Sequence, residues 1–414
     1  MTFSVQSPWW PRKLNLPKLG YHFKMSQKTH NLKDYIRENM NTQKRVIGLF
    51  NSYAGPEIKP NQFQKLTHAV FAYIQMNEDG SIGFQNNGIK ERFRYWRGKA
   101  RNQESDSMIP SLVDLEASAK LMISIGGHDN SQHFSDIVSR PEKQKTFIQS
   151  ILSFLTNNRI DGVEIFWKWP TEPERFKYTD FLEELKESMR RVNQNFILSI
   201  VAPPAGIDGW ENGFDLDGIL QHVDFVNVLS MDYYGPWPSQ WGTPAGPTAP
   251  LFGGINEKKN FNVDFTMRYY EHETKNPSKF NLVIPFFARL WRHDLGSLAP
   301  EMDIFRDIGL KNGQAEGNVY MTRCVLEREK WDISKATWDE ETKSAYVLDA
   351  RAKTYLTFET QRSIAAKIDY VKKMELGGVW IWAVNQDDDR YSLLNAVASH
   401  RLTEFGPEND NNFN

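Results

Sequence analysis

Eight short apolar runs, each followed by a stretch long enough for a helix, constrain this chain more than any other feature. They cover residues 46–50, 66–76, 120–127, 160–170, 196–202, 223–231, 280–288 and 378–383. The first, Val46-Ile47-Gly48-Leu49-Phe50, is bounded by Asn51 and Ser52 and has the composition of a buried parallel strand. Between the runs the period changes. Phe147, Ile151, Phe154 and Leu155 recur at helical spacing within 141–157, and Ile364, Ile368 and Val371 share one face of 360–374. Residues 181–192 give a further helix. Strands alternating with helices predict a parallel sheet, and eight of them predict an α/β fold closed as a (β/α)8, or TIM, barrel.

The interval between the last two strands is too long for a single connection. Residues 290–357 contain strand-like pieces near 319–324 and 344–348, so a small α+β insertion is expected there. The barrel with this insertion is read over 44–404. Residues 1–43 carry seven basic residues against two acidic ones and read as an extension outside the fold, with a short helix at 31–40. Such a segment is either a solvated tail or a basic contact arm. Residues 85–107 include Lys90, Arg92, Arg94, Arg97, Lys99 and Arg101, lack a strand pattern, and read as a long basic surface loop. Residues 405–414 are polar and read as a disordered tail.

Composition narrows the function classes. A formal net charge of −2 gives no global reason to expect nucleic acid or a membrane surface. Cys324 is the single cysteine, which excludes an internal disulfide and Cys-based zinc sites. The nine histidines are scattered and none falls in an HExxH arrangement, so no metal and no cofactor is implied. No apolar stretch reaches the ~18 residues of a membrane span. Residues 1–49 show no apolar run of a secretory signal, which by itself favours a cytoplasmic product or a chain lacking its true start.

The fourth run carries the most informative chemistry. In Ile160-Asp161-Gly162-Val163-Glu164-Ile165-Phe166-Trp167-Lys168-Trp169-Pro170, alternation puts Val163, Ile165 and Trp167 on one face. Gly162, Glu164, Phe166 and Lys168 fall on the other. An acid, an aromatic and a cation on one face of a barrel strand point to the barrel interior and its mouth.

This run resembles the signature of family 18 glycoside hydrolases, the chitinases and chitinase-like lectins, where the strand reads Asp-Gly-x-Asp-x-Asp-x-Glu. Asp161, Gly162, Trp169 and Pro170 match, and Glu164 is a conservative change. Phe166 stands at the third acidic position and Lys168 at that of the proton-donating glutamate. Further segments extend the resemblance over about residues 44–400: Ser124-Ile125-Gly126-Gly127, the run from Asn227 to Gly235 with Asp232 retained, and Pro285-Phe286-Phe287-Ala288-Arg289 with Arg289 retained. Gly378-Val379-Trp380-Ile381-Trp382 resembles the last strand, and Trp382 aligns with the tryptophan that floors the sugar site. Met231 occupies the place of a substrate-steadying tyrosine, and Phe50, Tyr53, Tyr73 and Trp237 fall where other groove aromatics lie, while Leu49 and His128 replace aromatics.

The resemblance implies substrate-assisted hydrolysis, in which a glutamic acid protonates the leaving oxygen and an aspartate steadies the substrate's acetamide. Lysine holds its proton and would add positive charge beside a cationic transition state. Phe166 has no charge to offer. No catalytic residue is therefore expected to function, and Asp161, Glu164, Phe166, Lys168, Met231 and Asp232 mark a degenerate site. Lys168 is expected in an ion pair with Glu164 or Asp232, with the nearby acids favouring its charged form. The leading reading is a non-hydrolytic protein that binds chitin or N-acetylglucosamine oligosaccharides through Trp382, Trp237, Tyr53, Tyr73, Asp232 and Arg289. The alternatives are a scaffold for a protein partner, or a hydrolase of altered mechanism using Asp161, Glu172 or Glu174. The family resemblance implies an extracellular location, against the cytoplasmic reading of the N-terminus.

Overall fold

The computed structural model describes residues 44–53, 58–101, 119–237, 242–300, 302–400 and 402. The predicted basic extension and its short helix, and the predicted tail at 405–414, lie outside the described residues.

Eight parallel strands form a closed barrel: β1 (Arg45–Asn51), β2 (His68–Met76), β3 (Lys120–Gly126), β4 (Gly162–Phe166), β5 (Ile197–Ala202), β6 (Phe225–Val228), β7 (Phe280–Pro285) and β8 (Gly378–Trp382). Each pairs with the next in sequence, and β8 pairs with β1 in the register Val46 to Val379, which closes the ring. Both faces of these strands are covered, so they are buried nearly throughout. β6 is shorter than the apolar run that marks it, because the chain turns out of the ladder after Val228. The long helices follow the periodicity: Pro141–Asn158, Arg175–Val192 and Gln361–Lys373. The first has Pro141 in its opening turn, where a missing N–H costs nothing.

The barrel interior is polar along one line. Ser124 donates to one oxygen of Glu164 at 2.8 Å and the Asn227 amide donates to the other at 2.6 Å. Asn281 donates to Asn227 at 2.9 Å, and Arg45 donates to Asn281 at 2.9 Å. This chain of hydrogen bonds links β3, β4, β6, β7 and β1 across the barrel.

Between β7 and β8 the chain builds a five-stranded antiparallel sheet in the spatial order Gly317–Met321, Ala288–Arg292, Thr354–Phe358, Ser344–Asp349 and Thr337–Asp339, with the helix Arg323–Arg328. The sheet begins at Ala288, inside the seventh apolar run, because the strand is interrupted after Pro285 and the chain changes sheet.

Part of the region read as a basic loop is a helix, Asn87–Ala100. Its charged residues form the outer face, while Ile89, Phe93, Trp96 and Ala100 recur at helical spacing and are buried. Asn86 caps it by accepting from the Ile89 N–H at 3.0 Å. Trp96 packs among Phe50, Phe63, Phe71 and Phe93, with ring centres 5.5–6.2 Å away. Phe50 thus belongs to this cluster behind the barrel wall and not to a groove. Residues 102–107 of the same predicted loop are outside the described residues. Among the described residues, no helix is long and apolar enough to cross a membrane.

Trp96 joins this helix to β1 and β2, so Trp96→Ala removes the centre of five aromatic rings. The expected loss is about 3–5 kcal/mol of unfolding free energy. Denaturant midpoints of the two proteins test this, and equal midpoints would refute the packing role.

Candidate functional site

The C-terminal ends of the strands open into a cavity of about 640 Å³. Its floor and near wall are aromatic. Phe166, at the end of β4, lies 6.1 Å from Tyr73 and 6.1 Å from Trp382, the latter edge-on. Trp169 flanks Phe166 at 5.7 Å. The peptide bonds Ala72–Tyr73, Lys168–Trp169 and Trp382–Ala383 are cis. Gly126 has φ +110°, and a Cβ there would lie 2.1 Å from the Phe166 carbonyl. Only glycine lets the end of β3 turn this close to β4.

The far wall is built on Arg289. This side chain is fully buried and donates to Asp232 at 2.6 Å, to the Tyr234 carbonyl at 2.6 Å and to the Val319 carbonyl at 3.2 Å. Its guanidinium lies 4.1 Å from the ring centre of Trp237. One cation therefore holds the loop after β6, a strand of the insertion and a cavity aromatic together. Asp232 has φ +65°, a left-handed conformation that aspartate tolerates better than most residues. Trp237 folds back over Gly235, where a Cβ would lie 1.0 Å from its ring.

Of the residues singled out from the sequence, Tyr53, Tyr73, Phe166, Lys168, Met231, Asp232, Trp237 and Trp382 all line the cavity. Arg289 does not reach it and acts through Asp232 and Trp237. Glu164 lies below Phe166, fully buried, outside the cavity lining. Asp161 sits at the opposite end of β4, where its carboxylate accepts from the Leu121 N–H at 2.7 Å. It is a structural residue of the barrel base. Glu172 and Glu174 form a single 3-10 turn beyond the strand, and Glu174 is taken up by the Thr171 N–H and hydroxyl. Neither lines the main cavity.

Lys168 departs most from expectation. Asp232 is held by Arg289, and both oxygens of Glu164 accept from Ser124 and Asn227, so neither acid pairs with it. Its backbone N–H donates to Ser131, but among the described residues its ammonium has no ion pair or hydrogen bond. Burial lowers its pKa, and Asp232 and Asp129 only partly oppose this through space. Desolvation outweighs the nearby acids.

The sequence reading missed several lining residues, among them Tyr320, Gln75, Gln132 and Gln386. Tyr320 comes from the insertion, stacks edge-on against Phe287 at 4.7 Å, and has its pKa raised first by Asp232 and then by burial. The strand-like piece at 319–324 that contains Tyr320 was visible, but nothing local told which of its side chains faces the barrel. Among the described residues no group of three or more His, Cys, Asp or Glu side chains could hold a metal ion.

The family model for glycosyl hydrolases family 18 matches residues 21–387. The chain belongs to this family. Among curated family 18 proteins, it is 24% identical to human chitinase-3-like protein 2, over 68% of this chain and 72% of that one. It is 26% identical to probable chitinase 10 of Drosophila melanogaster, over 89% of this chain, yet it spans only 16% of that protein's length. Two solved structures share the fold. YKL-39, crystallised in the presence of chitooligosaccharides (GlcNAc4), superposes with a TM-score of 0.70 at 18% identity, covering 87% of this chain and 100% of that one. Class V chitinase from Nicotiana tobaccum gives a TM-score of 0.71 at 16% identity, covering 86% and 98%.

Burial pushes the Glu164 carboxyl up from 4.5 to about 7, despite two hydrogen bonds that favour its charged form. An acid with a raised folded pKa stabilises the fold fully below its unfolded pKa and loses that contribution as pH rises through the folded value. The window is therefore about pH 4.5 to 7. Glu164→Gln cannot ionise, so relative to the parent it should gain roughly 3 kcal/mol of stability across this window. Denaturant unfolding of both proteins at several pH values checks this, and parallel stability curves would refute it.

Proposed function

We propose that this family 18 chain is a non-hydrolytic, chitinase-like protein that binds N-acetylglucosamine oligosaccharides in the mouth of its barrel. The observation that carries the reading is the pair Phe166 and Lys168, which line the cavity at the end of β4 where the family resemblance calls for acids. Substrate-assisted hydrolysis needs a proton donor at the leaving oxygen and a carboxylate beside the acetamide. Phe166 can do neither. Lys168 could release a proton but would place a positive charge beside a developing oxocarbenium ion. Asp232 is committed to Arg289, and Glu164 is sealed beneath Phe166. The loss of a general acid alone removes typically ~10²–10⁴-fold of rate.

Binding has better support. Trp382, Tyr73, Trp237, Tyr320 and Tyr53 surround the cavity and offer apolar faces to sugar rings. Asn51, Gln75, Gln132 and Gln386 supply the donors and acceptors that fix ring hydroxyls. The crystallisation of YKL-39 with chitooligosaccharides supports the same ligand class here.

Calorimetric titration with N-acetylglucosamine oligomers of four to six units should give saturable binding, weakened roughly tenfold or more by Trp382→Ala. Prolonged incubation should release no shorter products. Product release from the parent protein would overturn the non-hydrolytic reading. No binding at millimolar oligomer would overturn the sugar-binding reading and favour a scaffold for a protein partner.

A further inference from the structure

We propose that the barrel mouth selects acidic saccharides, with a ligand carboxylate or sulfate group paired to the ammonium of Lys168. This inference rests on the mouth being a sugar-binding groove and names the class of sugar it takes.

The argument comes from how the charges at the mouth are engaged. Asp232 is paired with buried Arg289 at 2.6 Å. Asp129 is exposed at the rim, 3.9 Å from the His128 ring. Glu174 is taken up by Thr171. Lys168 differs from all of these. It lines both the main cavity and an adjoining depression of about 400 Å³, and among the described residues its ammonium makes no hydrogen bond or ion pair. Its companions in the cavity wall include Phe166, Leu229 and Met231, which offer it no acceptor.

A desolvated cation with no contact partner among the described residues carries a burial cost that Asp232 and Asp129 recover only in part through space, and its pKa is lowered accordingly. Removing the family's acids left a positive centre at the bottom of the groove. A ligand anion at that point supplies the missing partner through a charge-assisted hydrogen bond, about twice as strong as a neutral one. The apolar wall strengthens the pairing by excluding water. A neutral sugar hydroxyl recovers less of the cost, and a deacetylated amino sugar brings a second positive charge and is repelled. The groove aromatics still stack on the ring faces, so the acidic group acts from the ring edge.

The test uses three oligosaccharides of equal length on the full chain: neutral N-acetylglucosamine oligomers, their 6-O-sulfated counterparts, and alternating N-acetylglucosamine and glucuronic acid. At low salt at least one acidic ligand should bind roughly tenfold tighter than the neutral one, and the preference should shrink near 0.5 M salt. Which acidic ligand gains distinguishes sulfate from carboxylate. Lys168→Met should abolish the preference, while Lys168→Arg, which keeps the charge, should retain most of it. The proposal is overturned if the neutral oligomer binds as tightly as both acidic ones, or if Lys168→Met leaves the ratio unchanged. Binding of the neutral oligomer alone would overturn this inference and leave the sugar-binding groove intact. Binding of none of the three would overturn both.

Discussion

The carboxyl group of Glu164 sits fully buried inside a closed barrel, and the interior is arranged around that fact. A buried acid is tolerated only when its oxygens are satisfied. Ser124 and Asn227 do this from the strands on either side of the barrel, and Asn281 and Arg45 extend the line to the closing strand. These bonds sit directly beneath the cavity floor. Phe166 is two residues further along the same face of β4, so the position of Glu164 sets the height and direction of Phe166. The cavity inherits its floor from a hydrogen-bonded core.

Above that floor, the mouth of this family 18 barrel is lined by aromatics, with Phe166 and Lys168 at the end of β4. Tyr73 and Trp382 still converge on the end of β4, and Arg289 still braces the opposite wall through Asp232 and Trp237. Phe166 completes an aromatic box with Tyr73, Trp169 and Trp382. Lys168 has the opposite character, because it carries a charge that no described residue neutralises by contact. A stable fold can carry one such group at a cavity edge, where partial hydration and through-space attraction from Asp232 and Asp129 limit the cost.

The barrel was legible in the sequence because its signal is repeated eight times. Buried parallel strands must be apolar on both faces, so each run stands out against the helices around it. The alternation along β4 was also legible, since a period of two puts Glu164 and Phe166 on one face and Val163 and Ile165 on the other. The helix Asn87–Ala100 was obscured by its six basic neighbours, although Ile89, Phe93, Trp96 and Ala100 carry the helical spacing. Asp161 was grouped with the site because it belongs to the same motif. A strand rises ~3.3 Å per residue, so five residues of β4 separate it from the mouth by most of the barrel's height.

The sequence by itself determined the eight barrel strands and the alternation that puts Glu164, Phe166 and Lys168 on one face of the fourth run. These are local properties, set by periodicity along one stretch of chain. Only the tertiary structure decided which charges pair. Arg289 reaches Asp232, Glu164 is satisfied by strands on both sides, and the Lys168 ammonium pairs with none of the described residues. It also decided that Tyr320 of the insertion joins the groove. Such contacts depend on distances across the barrel between residues far apart in sequence. Short-range pattern carries no record of those distances.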